Sequence, residues 1–445
     1  MNALDQYLNL YTRHKADINS HAPALLNARR EDAYARLMDA SLPEKGEETY
    51  EALSLNDMFA PDYGVNINRV DFPLDTAATF HCGVPNISTL MALVVNDAFR
   101  NTSTLLRNMP DGVTVMSLAR AADEMPDLVD KYLGKLVPAD NAAAALNALL
   151  LQDGVVIRVH RGVCLDRPLQ LVNVFNAIAP IMALRHILVV VEDDAKASIL
   201  VCDHSQNREV DYLSNQVVEI YAGRNAVVEY YDLEESSPRT RRLSQLFARQ
   251  QQGSRLTVNG STLLGGITRN NFDVRVIGDN ADTRLAGMAI GTDVQVVDNT
   301  TAVYHMSKGC KSEQMFKYVL EDKSVGAFYG TIVVDEKAKF TNAYQTNRNI
   351  IASPDARMYT RPQLEIYCDD VKCSHGATVG QLDENALFYM RSRGIPLAEA
   401  RLMLMQAFMQ DVIDTVSLPA LKTRLQQLIE SRLCGNKALC ADCPM

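Results

Sequence analysis

The chain has 445 residues, of which 47% are apolar and 22% are charged, a composition that excludes wholesale disorder and a fibrous protein. Its formal net charge of −10 argues against nucleic acid or an anionic membrane as the main partner. The best apolar run, residues 181–191, is too short to span a bilayer, and Asp5 interrupts what would be the apolar part of a signal peptide. We therefore expect a cytoplasmic protein with reduced cysteines.

The first 140 residues are predicted to form a mixed, mostly helical region. Leu4, Leu8 and Tyr11 recur at helical spacing, and residues 24–38 are rich in Ala, Leu and Arg. A strand is expected at residues 88–96, and further helices follow up to the end of the region.

Residues 141–379 are assigned to a β-rich core. From about residue 153, short runs of β-branched residues alternate with polar ones, and turn clusters with no helix between them separate the runs. The missing helices exclude βαβ units and leave a parallel β-solenoid or a large antiparallel sandwich. Asn-Gly and Asp-Gly pairs, which are typical of two-residue β-hairpin turns, are scarce, and Asn259-Gly260 is the main example. A solenoid needs no such turns, because each strand pairs with its copy one coil away. The pattern therefore favours the solenoid.

Residues 380–433 are assigned to a helical region, in which two helices are predicted at residues 396–433. One begins at Pro396 and the other near Pro419, and Gly435 ends the second. The apolar face of the first is predicted to consist of Ala400, Met403, Leu404, Ala407, Phe408 and Val412. Two such helices cannot form a core alone, so they must pack on the end of the solenoid or on another protein.

The segment VKCSHGAT, residues 371–378, is the best candidate for chemistry. If the segment is extended, Cys373 and His375 share one face, with Cα atoms about 6.5 to 7 Å apart. A thiolate and an imidazole can each be a ligand to a soft metal or an iron–sulfur unit. Two ligands cannot hold such a site, so the others must come from elsewhere. Cys202-Asp203-His204 has the same spacing, and we interpret it as structural.

The remaining cysteines divide into two groups. The tail, residues 434–445, carries a Cys-x5-Cys-x2-Cys pattern, which is three thiols without a fourth ligand. It is therefore either part of a metal site or a flexible C-terminal tail whose cysteines have no function. Its members are Cys434, Cys440 and Cys443. Core positions are expected for Cys82, Cys164, Cys202, Cys310 and Cys368.

Recognised catalytic motifs, such as a Walker loop, a Gly-x-Ser-x-Gly elbow or His-Glu-x-x-His, do not occur in the sequence. Acidic residues are abundant but unpatterned, which leaves open a solenoid enzyme that acts on acidic polysaccharide. The absence of Trp and an aromatic content of only 7% argue against a sugar-stacking groove.

Residues 362–395, PQLEIYCDDVKCSHGATVGQLDENALFYMRSRGI, resemble the signature of the SufB/SufD family of iron–sulfur cluster assembly proteins. The Cys-Ser-His-Gly form is more similar to SufD than to SufB. Residues 42–50, 145–173 and 303–353 resemble further family segments in the same order, so the resemblance covers nearly the whole chain. The chain departs from the family at Thr49 and Tyr50, where relatives usually hold a Trp, and in its cysteine tail.

The resemblance implies a mainly β protein, a right-handed parallel β-helix flanked by α-helical N- and C-terminal regions. It also implies a non-catalytic subunit of a scaffold with a SufB-like chain and the SufC ATPase, and a SufB-like subunit is the alternative within the family. A homodimer in isolation is a further possibility.

Within that complex, the edge of the β-helix is expected to pair with SufB. Cys373 and His375 would lie at this interface, where His375 is a candidate ligand of a nascent cluster shared transiently with SufB. This chain alone would bind no cluster tightly. The C-terminal helices are expected to dock SufC through Met403, Ala407 and Phe408. Truncation at Gly380 is expected to abolish that docking and to leave a soluble β-helix.

Overall fold

The computed structural model describes residues 2–74 and 90–434. Its helices are α1 (Leu4–Ser20), α2 (Ala24–Asn27), α3 (Arg30–Met38), α4 (Leu55–Phe59), α5 (Ser103–Asn108), α6 (Leu118–Glu124), α7 (Pro126–Tyr132), α8 (Ala142–Leu150), α9 (Glu384–Ser392), α10 (Leu397–Asp414) and α11 (Pro419–Leu433). None of the helices in these ranges is long and apolar enough to cross a membrane.

The strands follow one another with short turns through most of the chain. They are β1 (Leu90–Val95), β2 (Ala98–Arg100), β3 (Val113–Ser117), β4 (Val155–Val159), β5 (Leu169–Phe175), β6 (Ile181–Val191), β7 (Lys196–Ser205), β8 (Tyr212–Ala222), β9 (Val227–Glu235), β10 (Thr240–Gln250), β11 (Arg255–Thr262), β12 (Ile267–Val276), β13 (Asp282–Gly291), β14 (Val296–His305), β15 (Lys311–Leu320), β16 (Val325–Val334), β17 (Asn342–Ile351), β18 (Arg357–Ile366) and β19 (Lys372–Gly380).

These strands form two stacked sheets of a parallel β-solenoid. Sheet A has nine strands in the order β18-β16-β14-β12-β10-β8-β6-β4-β3, and sheet B has ten in the order β19-β17-β15-β13-β11-β9-β7-β5-β1-β2. From β4 onward each strand pairs in parallel with the strand two places along the chain, so one coil consists of two strands and two turns. The solenoid prediction is confirmed, and the antiparallel sandwich is excluded. β1 confirms the strand expected at residues 88–96, and it joins sheet B by pairing in parallel with β5.

Aliphatic side chains in register fill one half of the solenoid interior. Val189, Ile220, Ala248, Val274 and Val303 occupy the same position in successive coils, and all are buried. A fully buried Val or Ile side chain contributes about 1.5–3 kcal/mol. The stacked apolar columns therefore hold the coils together along the solenoid axis.

The other half of the interior is polar and centres on Arg242. Its guanidinium donates hydrogen bonds to Asp203 at 2.7 Å, to Asp232 at 2.7 and 2.8 Å, and to Asn270 at 2.7 Å. Arg185 donates to the same Asp203 at 3.1 Å. Burial alone would raise the pKa of Asp203, but the two guanidinium groups hold it below its ordinary value. The network balances buried charges that would otherwise be very costly.

The N-terminal helices cover the outer face of sheet A. Apolar residues of α1, α3 and α8 form one cluster with outward residues of sheet A, among them Leu184, Leu188 and Val217. Asn147 in α8 fixes this contact, because its amide donates to the backbone oxygens of Arg185 at 3.0 Å and Asn215 at 2.8 Å. The helical region is thus bound to the outside of the solenoid by both packing and hydrogen bonds.

The C-terminal helices cover the outer face of sheet B rather than the end of the solenoid. Their apolar residues form a cluster with outward residues of strands β7 to β17. The Lys317 ammonium donates to the backbone oxygen of Phe408 at 2.7 Å, and the buried Arg424 donates to Glu235 at 2.9 Å. The expected packing on the end of the solenoid is therefore wrong, because the helices bury their apolar residues on the broad face of the chain's own sheet.

Two details of the predicted helical region differ from the structure. A third helix, α9, precedes the two that were predicted. The buried residues of α10 are Ala400, Met405, Met409, Val412 and Ile413, rather than the whole predicted face. Leu and Met occur on several sides of α10, so helical spacing alone does not show which side faces the sheet.

We predict that Arg242→Met destabilises the fold strongly. The substitution leaves Asp203 and Asp232 buried without their main counter-charge, which is expected to cost about 3–5 kcal/mol of the free energy of unfolding. Urea unfolding of the purified chain measures this loss. Arg284→Met is the matched control, because Arg284 pairs with Glu313 at 3.2 Å on the surface and its loss should cost less than about 1 kcal/mol. Similar small losses in both variants would contradict the role given to the network.

The structure also changes the expectation for truncation at Gly380. Removal of α9 to α11 would expose the outward apolar residues of sheet B, including Tyr231, Leu233 and Met288, which the helices now bury. We therefore predict that the truncated chain aggregates. Size-exclusion chromatography tests this against a control that ends at Cys434 and keeps all three helices. A monodisperse product of the Gly380 truncation would show that the helices are dispensable for solubility.

Candidate functional site

Cys373 and His375 lie on β19, the last strand of sheet B. In the described part of the chain, β19 pairs only with β17, where Cys373 is opposite Ala343 and His375 is opposite Gln345. Ala343 and Gln345 are buried inward-facing residues of the preceding coil. Cys373 and His375 therefore occupy inward positions of the terminal coil.

Cys373 and His375 are accessible because β19 is the last strand of sheet B, with no further coil stacked on it in the described chain. Cys373 is half-buried and His375 is exposed, whereas the equivalent positions one coil earlier are only 0% and 2% exposed. Every residue of β19 except Cys373 is exposed. The two side chains thus face the open end of the solenoid, where a ligand or a second chain can reach them.

The Cys373 thiol is held in its neutral form by its surroundings. It packs against a small apolar cluster of the last coils that contains Ile332, Ala338 and Cys368. Burial raises the pKa of Cys373, a backbone hydrogen bond with Ala343 opposes the rise, and neighbouring Cys368 adds to it. A metal ion must therefore displace the thiol proton when it binds here.

The pair provides only part of a metal site. Within residues 2–74 and 90–434, no group of three or more His, Cys, Asp or Glu side chains is placed to hold a metal ion. Cys373 and His375 can each supply one soft ligand, and the remaining ligands would have to come from outside the described residues.

Other cysteines differ in their settings. Cys202, Cys310 and Cys368 are buried, as expected for core residues, and the Cys202-Asp203-His204 segment is part of β7. Cys164 is exposed in the turn before β5, so its predicted core position is wrong. A turn residue next to an apolar stretch can point outward, which composition alone does not reveal. Cys82 lies outside the described residues.

The tail pattern is only partly within the described chain. Cys434 is exposed directly after the end of α11, and Cys440 and Cys443 lie outside the described residues. The described residues do not test a tail metal site, which therefore stays a prediction.

The C-terminal helices expose part of the surface expected to dock a partner. Met403 is 44% exposed, Ala407 is also exposed, and Phe408 is half-buried. Phe408 takes part in the packing on sheet B, because the Lys317 ammonium lies 4.8 Å from its ring centre. On α9, Phe388 and Tyr389 are 74% and 59% exposed, which sequence analysis missed. Their adjacency in ENALFYMRS, next to Arg391, was an available signal.

Comparison with known proteins agrees with this arrangement. The model of the SUF system FeS cluster assembly SufBD core domain matches residues 174–408, and that of the SufBD protein N-terminal region matches residues 1–171. The iron–sulfur cluster assembly SufBD family protein slr0076 of Synechocystis is 27% identical over 430 residues, 94% of each chain.

Two relatives carry the name SufD. The iron–sulfur cluster assembly protein SufD of Escherichia coli is 38% identical over 177 residues, which are 40% of this chain and 42% of that protein. SufD of Bacillus subtilis is 27% identical over 325 residues, 72% of this chain and 74% of that protein. Because the core-domain model alone matches more than half of the sequence, the chain belongs to the SufB/SufD family of SUF-system iron–sulfur cluster assembly proteins.

Proposed function

We propose that this chain is a SufD-like, non-catalytic subunit of a scaffold on which a SufB-like chain and a SufC-like ATPase assemble iron–sulfur clusters in the cytoplasm. The observation that carries the proposal is the incomplete ligand pair, Cys373 and His375, on the open terminal coil of a SufB/SufD-family solenoid. The Cys-Ser-His-Gly form and the named SufD relatives support SufD over SufB.

The geometry of the terminal coil supports pairing with SufB through the end of the solenoid. The outer edges of β18 and β19 present backbone groups without a strand partner in the described chain. Such an edge is a template for another strand. A SufB-like solenoid docked there would cover Cys373 and His375 and could supply the ligands that the described residues of this chain lack. The nascent cluster is the cargo of such an interface, and it would be passed on rather than retained.

Exposed residues of α9 and α10 support docking of SufC on the C-terminal helices. The solvent-facing side of these helices carries Phe388, Tyr389, Met403 and Ala407. Exposed large apolar side chains are typical of interaction sites when they lie together on one surface. Because the opposite side of α10 packs on sheet B, a partner can bind here without separating the helices from the solenoid.

We predict that His375→Ala lowers the cluster content of the co-expressed complex with SufB-like and SufC-like chains. Loss of one ligand leaves iron open to water and weakens binding about 10-fold or more. The free energy of unfolding should change by about 1 kcal/mol or less, because the side chain is exposed. Iron and acid-labile sulfide per complex are measured, and the subunit ratio is checked by gel densitometry.

Ser374→Ala is the matched control for His375→Ala. Ser374 is exposed on the same strand and, by strand alternation, faces the other side, so its loss should leave cluster content unchanged. Cys373→Ser should act in the same direction as His375→Ala, more weakly if SufB supplies the main thiolate. Normal cluster content in the His375→Ala complex would remove the ligand assignment and leave this residue as an interface contact.

We predict that the double substitution Met403→Asp and Ala407→Asp abolishes retention of the SufC-like ATPase in a pull-down but not that of the SufB-like chain. Two carboxylates placed in an apolar contact would lose their hydration without gaining a partner, and this desolvation costs more free energy than the contact provides. Phe408 is avoided, because its substitution would also disturb packing on Lys317. Gln427→Asp, on the exposed side of α11, is the control and should retain both partners. Undiminished SufC binding by the double variant would place the dock elsewhere.

A further inference from the structure

One corner of the solenoid repeats the same backbone conformation in successive coils. At this corner a residue with φ between +56° and +71° donates its amide hydrogen to a carbonyl one coil later, at 2.7–3.0 Å. The residues in this position are Asp194, Asn225, Gly253, Asn280, Gly309 and Phe340.

Phe340 does not fit this position chemically. Asp, Asn and Gly enter the left-handed region readily, because Gly has no Cβ and the short polar side chains can form local hydrogen bonds. A phenylalanine has neither advantage, and its φ is +63°. The residue is 64% exposed, so burial does not offset the backbone strain. In the free chain, Phe340 therefore combines an unfavourable backbone conformation with an exposed apolar side chain. This combination indicates a role other than stabilising the fold.

A backbone hydrogen bond links Phe340 to the last turn of the terminal coil. The Phe340 amide donates to the backbone oxygen of Asp370 at 2.7 Å, in the turn between β18 and β19. The same turn begins with Tyr367, which is 62% exposed, directly after Ile366, which is 41% exposed. This turn leads directly into Cys373. The three exposed residues Phe340, Ile366 and Tyr367, here called the aromatic corner, thus flank the start of the strand that carries the ligand pair.

We propose that the aromatic corner anchors the chain that covers the open end of the solenoid, with Phe340 as its central contact. The occupant is a second β-solenoid that brings a strand edge of its own, because the corner is continuous with the unpartnered backbone edges of β18 and β19. This inference rests on the proposed function, in which that solenoid is SufB-like. Buried aromatic anchors contribute most of the binding energy in many interfaces.

The strain at Phe340 gives a test that separates its two unfavourable features. Phe340→Asn removes the ring and relieves the backbone, whereas Phe340→Ala removes the ring but keeps a side chain that the left-handed region disfavours. We expect Phe340→Asn to raise the melting temperature of the isolated chain by about 1–3 °C and Phe340→Ala not to raise it. Both variants should bind a purified SufB-like chain at least about 10-fold more weakly, as measured by isothermal titration calorimetry.

Ile178→Asn is the matched control. Ile178 is 97% exposed in the turn between β5 and β6, away from the terminal coil, so its loss should change neither the affinity nor the melting temperature. Wild-type affinity in both Phe340 variants would overturn the inference while leaving the proposed function intact. Weaker binding by both variants without a gain in stability for Phe340→Asn would overturn the strain argument.

Two further outcomes concern the occupant. If the unchanged chain self-associates through the aromatic corner and does not bind the SufB-like chain, the occupant is a second copy of this chain, and the proposed SufB-like occupant is wrong. If the unchanged chain binds no SufB-like protein at all, the proposed function fails, and this inference fails with it. Analytical ultracentrifugation of the wild-type chain, alone and with the SufB-like chain, distinguishes these two cases.

Discussion

The parallel backbone ladder, in which each strand pairs with the strand one coil later, is the constraint on which the other features depend. It satisfies the backbone of every inner strand on both edges and brings inward side chains into columns. The ladder stops at β18 and β19. Cys373 and His375 occupy positions that are buried one coil earlier, so their accessibility is a direct consequence of where the ladder ends.

Both broad faces of the solenoid are covered by helices of the same chain. N-terminal helices pack on sheet A and C-terminal helices on sheet B, each through an apolar cluster. The terminal coil is therefore available to a solenoid partner that pairs through strands. The outer side of α9 and α10 is available to a partner that binds helices. The two proposed docking surfaces involve different kinds of secondary structure, so two different proteins can occupy them together.

The solenoid could be predicted from the sequence because the patterns that indicate it lie within short stretches of the chain. Alternating β-branched runs and turn clusters without helices suffice to exclude βαβ units, and Cys373 and His375 could be placed on one face from strand alternation alone. The Arg242 network could not be predicted, because Asp203 lies 39 residues from it in sequence and meets it only through coil register. The buried side of α10 was partly missed, since Leu and Met occur around the helix. Phe340 also escaped notice, because only the backbone of the corner shows that its position suits Asn or Gly.

The chemistry of the ligand pair fits a site that is completed only on assembly. Burial already raises the pKa of Cys373, and a chain docked over it would remove more water and favour the neutral thiol further. Only a cation that arrives at the covered site reverses this effect, because it stabilises the thiolate directly. His375, exposed in the free chain, faces the same opening and can offer a ring nitrogen. In the proposed complex, the free subunit would hold iron poorly, and the assembled interface would supply further ligands and the shielding from water that a cluster requires.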